Sequence, residues 1–449
     1  MAFAAERTHR FLSLDGGITI DAHVKHPRSL AEIEDWTRGD DPIIARGSGL
    51  SYAAASFGPG AVSLDMRSFD QVLDFDSGSG LVHVQAGITL GSLHDFLGPA
   101  GFYLPIQPGY SEISVGGCVA ADVHGKNPAR DGTFISQVER LSLFHPDHGK
   151  TDLSRDRFPD IFALTCGGYG MTGVILSVVL RASRLPGAWV ETVMHSAENA
   201  SHAAALLRQH AAGSDFTYAW LDFAQPGRGF GRGYVAAIHF GGTPEGITPE
   251  SHRFPPGRMT PERRAFLPLP LLYRPTIRAM NAVYSHMTER KRRGARSALG
   301  AALFTFNGNE LYHGLFGRPG FHESQVIVPQ DALPAYAEAI RHHSVRLGAP
   351  ITLGAGKVFA GTGTDLRFDG DGICIAVNLR RGRAATAFLD ALDQDAIRLG
   401  GRPNIIKDSR LPRSVFEATY PDADKVRRGL RAWDPKRRCR SELSERLGL

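Results

Sequence analysis

A chain of 449 residues is longer than one hydrophobic core usually serves, so two domains are expected. Hydrophobic residues make up 42% and charged residues 22%, which excludes a disordered chain. A net charge of +5 suits an anionic ligand and is too small for nucleic-acid binding.

Cys118, Cys166, Cys374 and Cys439 stand far apart with no CxxC pair, so neither a metal site nor a disulfide framework is expected. The opening MAFAAERTHRF puts charges where a signal peptide would be apolar, and no apolar run approaches the ~20 residues of a membrane span. A cytoplasmic location is the expectation.

In chain order, strands are predicted at PIIA (42–45), AVSLDM (61–66), QVLDFD (71–76) and LVHVQAG (81–87), with SGSG as a hairpin turn between the last two. A helix is predicted over TLGSLHDFLGPAG, where Leu90, Leu93, Phe96 and Leu97 share a face and Gly101 ends the segment. Further strands fall at VERLSLF (138–144) and VILSVVL (174–180). The mixture lacks the regular βαβ alternation of a doubly wound sheet, so the class is α+β.

Two nucleotide motifs fail on context. GKT (149–151) has Phe144 where a P-loop needs glycine, and reads as a hairpin turn. GYGMTG (168–173) fits GxGxxG, but the strand-like VILSVVL follows it, where a Rossmann fingerprint requires a helix. Beyond Ser183, longer helices are expected. The run Arg290, Lys291, Arg292, Arg293 and Arg296 reads as a solvated helix face or, with FLPLPLLY upstream, as a surface for anionic lipid.

Three glycine-bearing segments stand out: ARGSGLSY (45–52), QPGYSEISVGGCVAADVHGKN (107–127) and CGGYGMTG (166–173). Turns of this kind gather backbone N–H groups into anion-holding nests, with Arg46 beside them for charge. Taken together and in this order, they resemble the FAD-binding domain of the vanillyl-alcohol-oxidase (PCMH) family, in which FAD lies extended between two α+β subdomains. HGKN (124–127), IKDSR (406–410) and FEATYP (416–421) are similar to the decaprenylphosphoryl-β-D-ribose 2-oxidase group within it. The likeness is good over 40–183 and 400–449 and patchy between.

The resemblance implies an FAD-binding domain over 1–183, a substrate domain over 184–400 with an antiparallel sheet flanked by helices, and a segment over 401–449 returning to the first domain. It assigns FAD contacts to Arg46, Gly47, Ser48, Gly49, Leu50, Ser51, Tyr52, Gly109, Ser114, Val115, Gly116, Gly117, Ala121, Asp122, His124, Ile175 and Asn404. Many members tether the flavin through a histidine at the Leu50 position. Leucine has no nucleophilic nitrogen, so FAD is expected to be non-covalent.

Lys407 and His124 are the implied catalytic residues. Lys407 would stabilise developing negative charge or take a proton, and His124 would orient substrate or act as base. Lys357, Phe359, Gln325, Cys374, Lys126, Asn127 and Trp220 are placed on the substrate side. The group's GNQAP stretch is GTGTD here (361–365), and Pro128 follows HGKN where a histidine is usual.

The implied reaction is oxidation of a secondary sugar hydroxyl, at C2′ of polyprenyl-phospho-β-D-ribose, giving a keto sugar. A separate short-chain reductase would then complete an epimerisation to arabinose for the cell envelope, with peripheral contact at the inner membrane face. The alternatives are an oxidase of a soluble polyol, sugar or aldonolactone, and a flavin-binding protein without turnover.

Overall fold

The computed structural model describes residues 8–258, 267–290 and 294–449. Lys291, Arg292 and Arg293 of the cationic run lie outside the described residues, as does the side chain of Arg290. The first sheet contains β1 (Thr8–Leu12), β2 (Thr19–Lys25), β3 (Ile43–Arg46) and β4 (Val62–Asp65) in the order β1-β2-β4-β3, with β4 parallel to both neighbours.

Next come β5 (Val72–Asp76), β6 (Leu81–Gln85), β7 (Phe102–Tyr103), β8 (Val138–His145), β9 (Gly149–Ser154), β10 (Val174–Arg181) and β11 (Ser183–Arg184). Five of them form an antiparallel sheet ordered β5-β6-β10-β8-β9, while β7 and β11 pair as a ribbon. The apolar VILSVVL takes the central place in the five-stranded sheet, because only there are both faces covered. The 76–81 and 145–149 turns are hairpins, and GYGMTG leads into a strand. The helix Leu90–Leu97 is capped by Thr89 and buries Leu90, Leu93 and Leu97. Phe96, expected on the same face, is at its exposed margin against Phe75.

The largest sheet has eight strands: β12 (Trp189–Ala197), β13 (Phe216–Asp222), β14 (Arg232–Gly241), β15 (Ala295–Ser297), β16 (Phe321–Val328), β17 (Ile351–Ala360), β18 (Asp371–Arg380) and β19 (Arg402–Pro403). Their order is β15-β12-β14-β13-β17-β18-β16-β19, antiparallel throughout. Side chains alternate across a strand, so Val326, Ile373, Ile375 and Val377 face one way. There they pack on the helices Ala200–Ala211, Leu333–Arg346 and Arg383–Arg398. The opposite face carries Tyr218, Trp220, Glu323, Gln325, Lys357 and Cys374, and meets residues 124–126 and 404–407.

Apolar packing runs across Ser183, since Val190, Phe216 and Ile238 share a cluster with Val82 and Leu141. Residues 404–449 fold back onto the first sheet: Ile43 bridges Cys439, Glu442 N donates to the Phe57 carbonyl, and Trp433 Nε1 donates to the Thr172 carbonyl. No helix among the described residues is long and apolar enough to cross a membrane.

Candidate active site

The C-terminal end of β3 delivers Arg46 into the loop 47–52, which forms one wall of a long cleft. Arg46 is buried, donates to Ser56 Oγ at 2.9 Å and lies 4.8 Å over the Phe11 ring. A Cβ at Gly47 would overlap the Ser114 hydroxyl, so this approach of loop to helix requires glycine. Gly49, at φ +67°, turns the loop against the Arg46 guanidinium.

Gly116, Gly117, Ala120 and Ala121 of the short helix Val115–Ala121 form the second wall, with Ser114 Oγ accepting from Gly117 N at 3.3 Å. Tyr169, Gly170, Gly173 and Ile175 form the third, and Ile406 and Lys407 complete the lining. Ser48, Leu50, Ser51 and Tyr52 also line the cleft. This donor set fits FAD: a buried arginine beside a glycine-rich loop for phosphate oxygens, and small side chains that leave room for flat rings.

Beyond Lys407 the cleft meets a cluster of amines. Lys407 Nζ is 3.6 Å from Glu323 Oε1 and 4.0 Å over the Tyr52 ring. Its neighbour Asp408 is engaged by Arg410 at 2.9 Å, so a Lys407–Asp408 surface pair is not formed. Lys357 Nζ donates to the Gly125 carbonyl at 2.9 Å and lies 3.2 Å from His124 Nδ1. Lys126 Nζ donates to Thr305 Oγ1 at 3.2 Å and sits 5.5 Å over the Tyr218 ring.

Burial pulls Lys126 down to about 7, with the Lys357 charge adding to it. Burial likewise brings Lys357 down to about 8, against the attraction of Glu323. His124, buried beside Lys357, falls to about 3. An imidazole that acidic is a hydrogen-bonding group at neutral pH and a weak general base, whereas the two amines titrate where a base is useful.

The structure separates the sequence candidates sharply. Asp122 does not face the cleft. At φ 42° it ends its helix, and its carboxylate accepts from Thr133 Oγ1 at 2.7 Å and Ile135 N at 2.8 Å. Val115 is fully buried in the core, away from the cleft. Gly109 gives its carbonyl to Phe306 N, and Pro108 beside it is the residue that lines the cleft.

Asn404, expected at the cofactor, instead donates to Gln325 Oε1 at 3.0 Å and pins the 404–407 turn to β16. Asn127 also turns away from the amines: its Nδ2 donates to the carbonyls of Ala211 and Ser214. Phe359 and Cys374 pack with Ile327 and Phe368 beneath His124. Burial pushes the Cys374 thiol up to about 12, so it is no nucleophile.

Trp220 stacks on Tyr234 at 5.4 Å and meets Tyr284 at 5.2 Å. Asp365 N donates to Asp422 and Asp365 pairs with Lys425, tying the GTGTD stretch to the C-terminal helices.

Glu323 escaped sequence reading. It accepts from Gln325 Nε2 at 2.7 Å and Asn378 Nδ2 at 2.8 Å, and faces Lys407. Its position two residues before Gln325 in a strand places both on one face, a signal that was available. Thr305 and Phe368 gave no local signal. Away from the cleft, His145, Asp434 and Cys439 bring ligand atoms within 4.8 Å of one another. There the Asp434 oxygens already accept from the backbone of Arg438 and Cys439.

Comparison with known proteins agrees with the cleft. Residues 22–151 match the model of an FAD binding domain. Over 439 residues the chain is 27% identical to a decaprenylphosphoryl-β-D-ribose oxidase of Mycolicibacterium smegmatis, covering 93% of this chain and 90% of that one. An uncharacterised protein of Streptomyces coelicolor is 29% identical over 387 residues, 81% of this chain and all (100%) of that one. An L-galactono-1,4-lactone dehydrogenase of Oryza sativa is 37% identical over 135 residues, 30% of this chain and 23% of that one.

Proposed function

Starting from a chain that is an FAD-dependent oxidoreductase with a PCMH-type FAD-binding domain, we propose that it oxidises C2′ of a polyprenyl-phospho-β-D-ribose to the keto sugar. The carrying observation is the convergence of Lys126, Lys357 and Lys407 around His124, with Glu323 as the carboxylate beside them. Buried amines gathered this way favour a substrate that brings its own negative charge, and a phosphodiester-linked sugar does so.

Bound FAD supplies the two-electron acceptor for the hydride. Lys407 lies at the end of the cleft, where its amine would stabilise the alkoxide formed as the substrate hydroxyl loses its proton, before hydride leaves the carbon. The amines of Lys126 and Lys357, at about 7 and about 8, are matched to accept the hydroxyl proton or to bind phosphate, depending on their protonation. His124, held by Lys357 and the Phe359 and Phe368 rings, orients the sugar. With Leu50 in the cleft and Cys118 and Cys166 buried in the core, FAD is held without a covalent tether. A separate short-chain reductase would consume the keto product and complete the epimerisation.

A second reading, oxidation of a soluble aldonolactone or polyol, is favoured by the likeness to lactone dehydrogenases. The two readings differ in their pH dependence. The amines are cationic below their pKa values, and raising the pH through 7 to 8 removes those charges. KM for a phospho-sugar should therefore rise by about tenfold between about pH 6 and about pH 9. KM for a neutral sugar should stay flat. A flat profile for the phospho-sugar would remove the amines from phosphate recognition.

A further inference from the structure

The amines of the site stand in a row across the large sheet. Lys126 Nζ lies over the ring of Tyr218 on β13, Lys357 extends from β17, and Lys407 meets Glu323 of β16. Ala219 pairs with Gly356, which sets Tyr218 beside Lys357, and β18 separates β17 from β16. Tyr218 and Glu323 are therefore three strands apart, about 14 Å at about 4.8 Å per strand.

The two ends of the row differ in charge. At the β13 end, the partners of the Lys126 amine among the described residues are a hydroxyl and a ring, Thr305 Oγ1 at 3.2 Å and Tyr218. At the cleft end, Glu323 is 8% exposed and stands 3.6 Å from the Lys407 amine. Its two oxygens are held separately: Oε1 accepts from Gln325 Nε2 at 2.7 Å, and Oε2 accepts from Asn378 Nδ2 at 2.8 Å. Asn378 sits directly opposite Glu323 on β18. An ionised carboxylate accepts and never donates, so two amide N–H groups aimed at it keep the negative charge in place.

The remaining groups at the cleft end add no net charge. Burial, and then the Glu323 charge, hold the Tyr52 hydroxyl well above the usual tyrosine range, so it is neutral. Asp15 is spent on Arg381 at 2.6 Å. His124, which burial brings down to about 3, is uncharged at neutral pH.

We propose that Glu323 is a specificity-determining residue: it cancels the positive charge at the cleft end of the row, so Lys407 is offered to an uncharged hydroxyl and a negative group is drawn to Lys126 instead. A ligand carrying both then lies in one direction across the sheet, its negative group over β13 and its reacting hydroxyl toward β16. That this ligand is a phospho-sugar rests on the function proposed above. The charge difference between the two ends does not.

Titrating the FAD-loaded protein with inorganic phosphate, and following the flavin absorbance, reads anion binding at the cleft end. Glu323→Gln keeps the shape of the side chain and removes its charge. This variant should respond at a phosphate concentration at least tenfold below that needed by the wild type, and adding Lys407→Met should abolish the response. FAD content and melting temperature check that each variant folds. Lys126→Met leaves Glu323 in place and tests the other end: KM for polyprenyl-phospho-ribose should rise at least tenfold.

A phosphate response of Glu323→Gln within twofold of the wild type overturns the role of Glu323, as does a response that survives Lys407→Met. An unchanged KM in Lys126→Met overturns the direction of the ligand. Flavin reduction by free sugars alone defeats the phospho-sugar reading, and the phosphate titration then still decides whether Glu323 sets the charge of the cleft end.

Discussion

Replacing Lys407 with alanine is expected to leave FAD bound and to slow flavin reduction by about 10²–10³-fold, the usual cost of removing one group that stabilises transition-state charge. Lys407 lines the cleft, 4.0 Å over Tyr52 and 3.6 Å from Glu323. The turn that carries it does not depend on its side chain: Asn404 N donates to the Gln325 carbonyl and Lys407 N to the Asn404 carbonyl. The substitution therefore deletes a charge and leaves the backbone in place. Stopped-flow reduction under anaerobic conditions reads the effect directly. A reduction rate within a few-fold of wild type would remove Lys407 from the chemistry.

Gly47→Leu should yield a folded protein that is nearly free of flavin. A Cβ at this position already overlaps Ser114, whose hydroxyl caps the neighbouring helix, and the rest of a leucine side chain would have to enter the cleft. Overpacking of this kind costs about 1–3 kcal/mol, which is on the order of 10–100-fold in cofactor affinity. The measurement is the ratio of flavin to protein absorbance after gel filtration, with the melting temperature as a check on the fold. Acid precipitation of the wild type should release its yellow colour into the supernatant. A variant with full flavin content would show that loop 47–52 does not hold the cofactor.

The first two sheets were legible in part, because β3, β4, β5, β6, β8 and β10 are short runs bounded by turn residues, as in VILSVVL and the SGSG hairpin, whereas the more polar β1, β2 and β9 were not read. The strand order of the large sheet was not. Its central contact joins Ala219 to Gly356, and no local pattern records a pairing between segments so distant in the chain. The backbone part of the cleft was readable for a physical reason: close approach demands glycine, and glycine clusters are visible in sequence.

Side-chain direction was harder to read. Lys126 and Asn127 are neighbours in HGKN, yet one joins the amine cluster and the other anchors residues 211–214. Asp122 and Asn404 look like ligand-binding polar residues, but each satisfies nearby backbone or side-chain groups instead. Buried polar side chains take whichever partner the tertiary fold supplies, and sequence alone does not name it.

Anaerobic mixing of the FAD-loaded protein with polyprenyl-phospho-β-D-ribose, set against a panel of free pentoses, polyols and aldonolactones, tests the central claim most directly. Bleaching of the flavin absorbance by the phospho-sugar, with formation of a 2′-keto product and no bleaching by the free compounds, is the expected result. Bleaching by free sugars or lactones alone would contradict it.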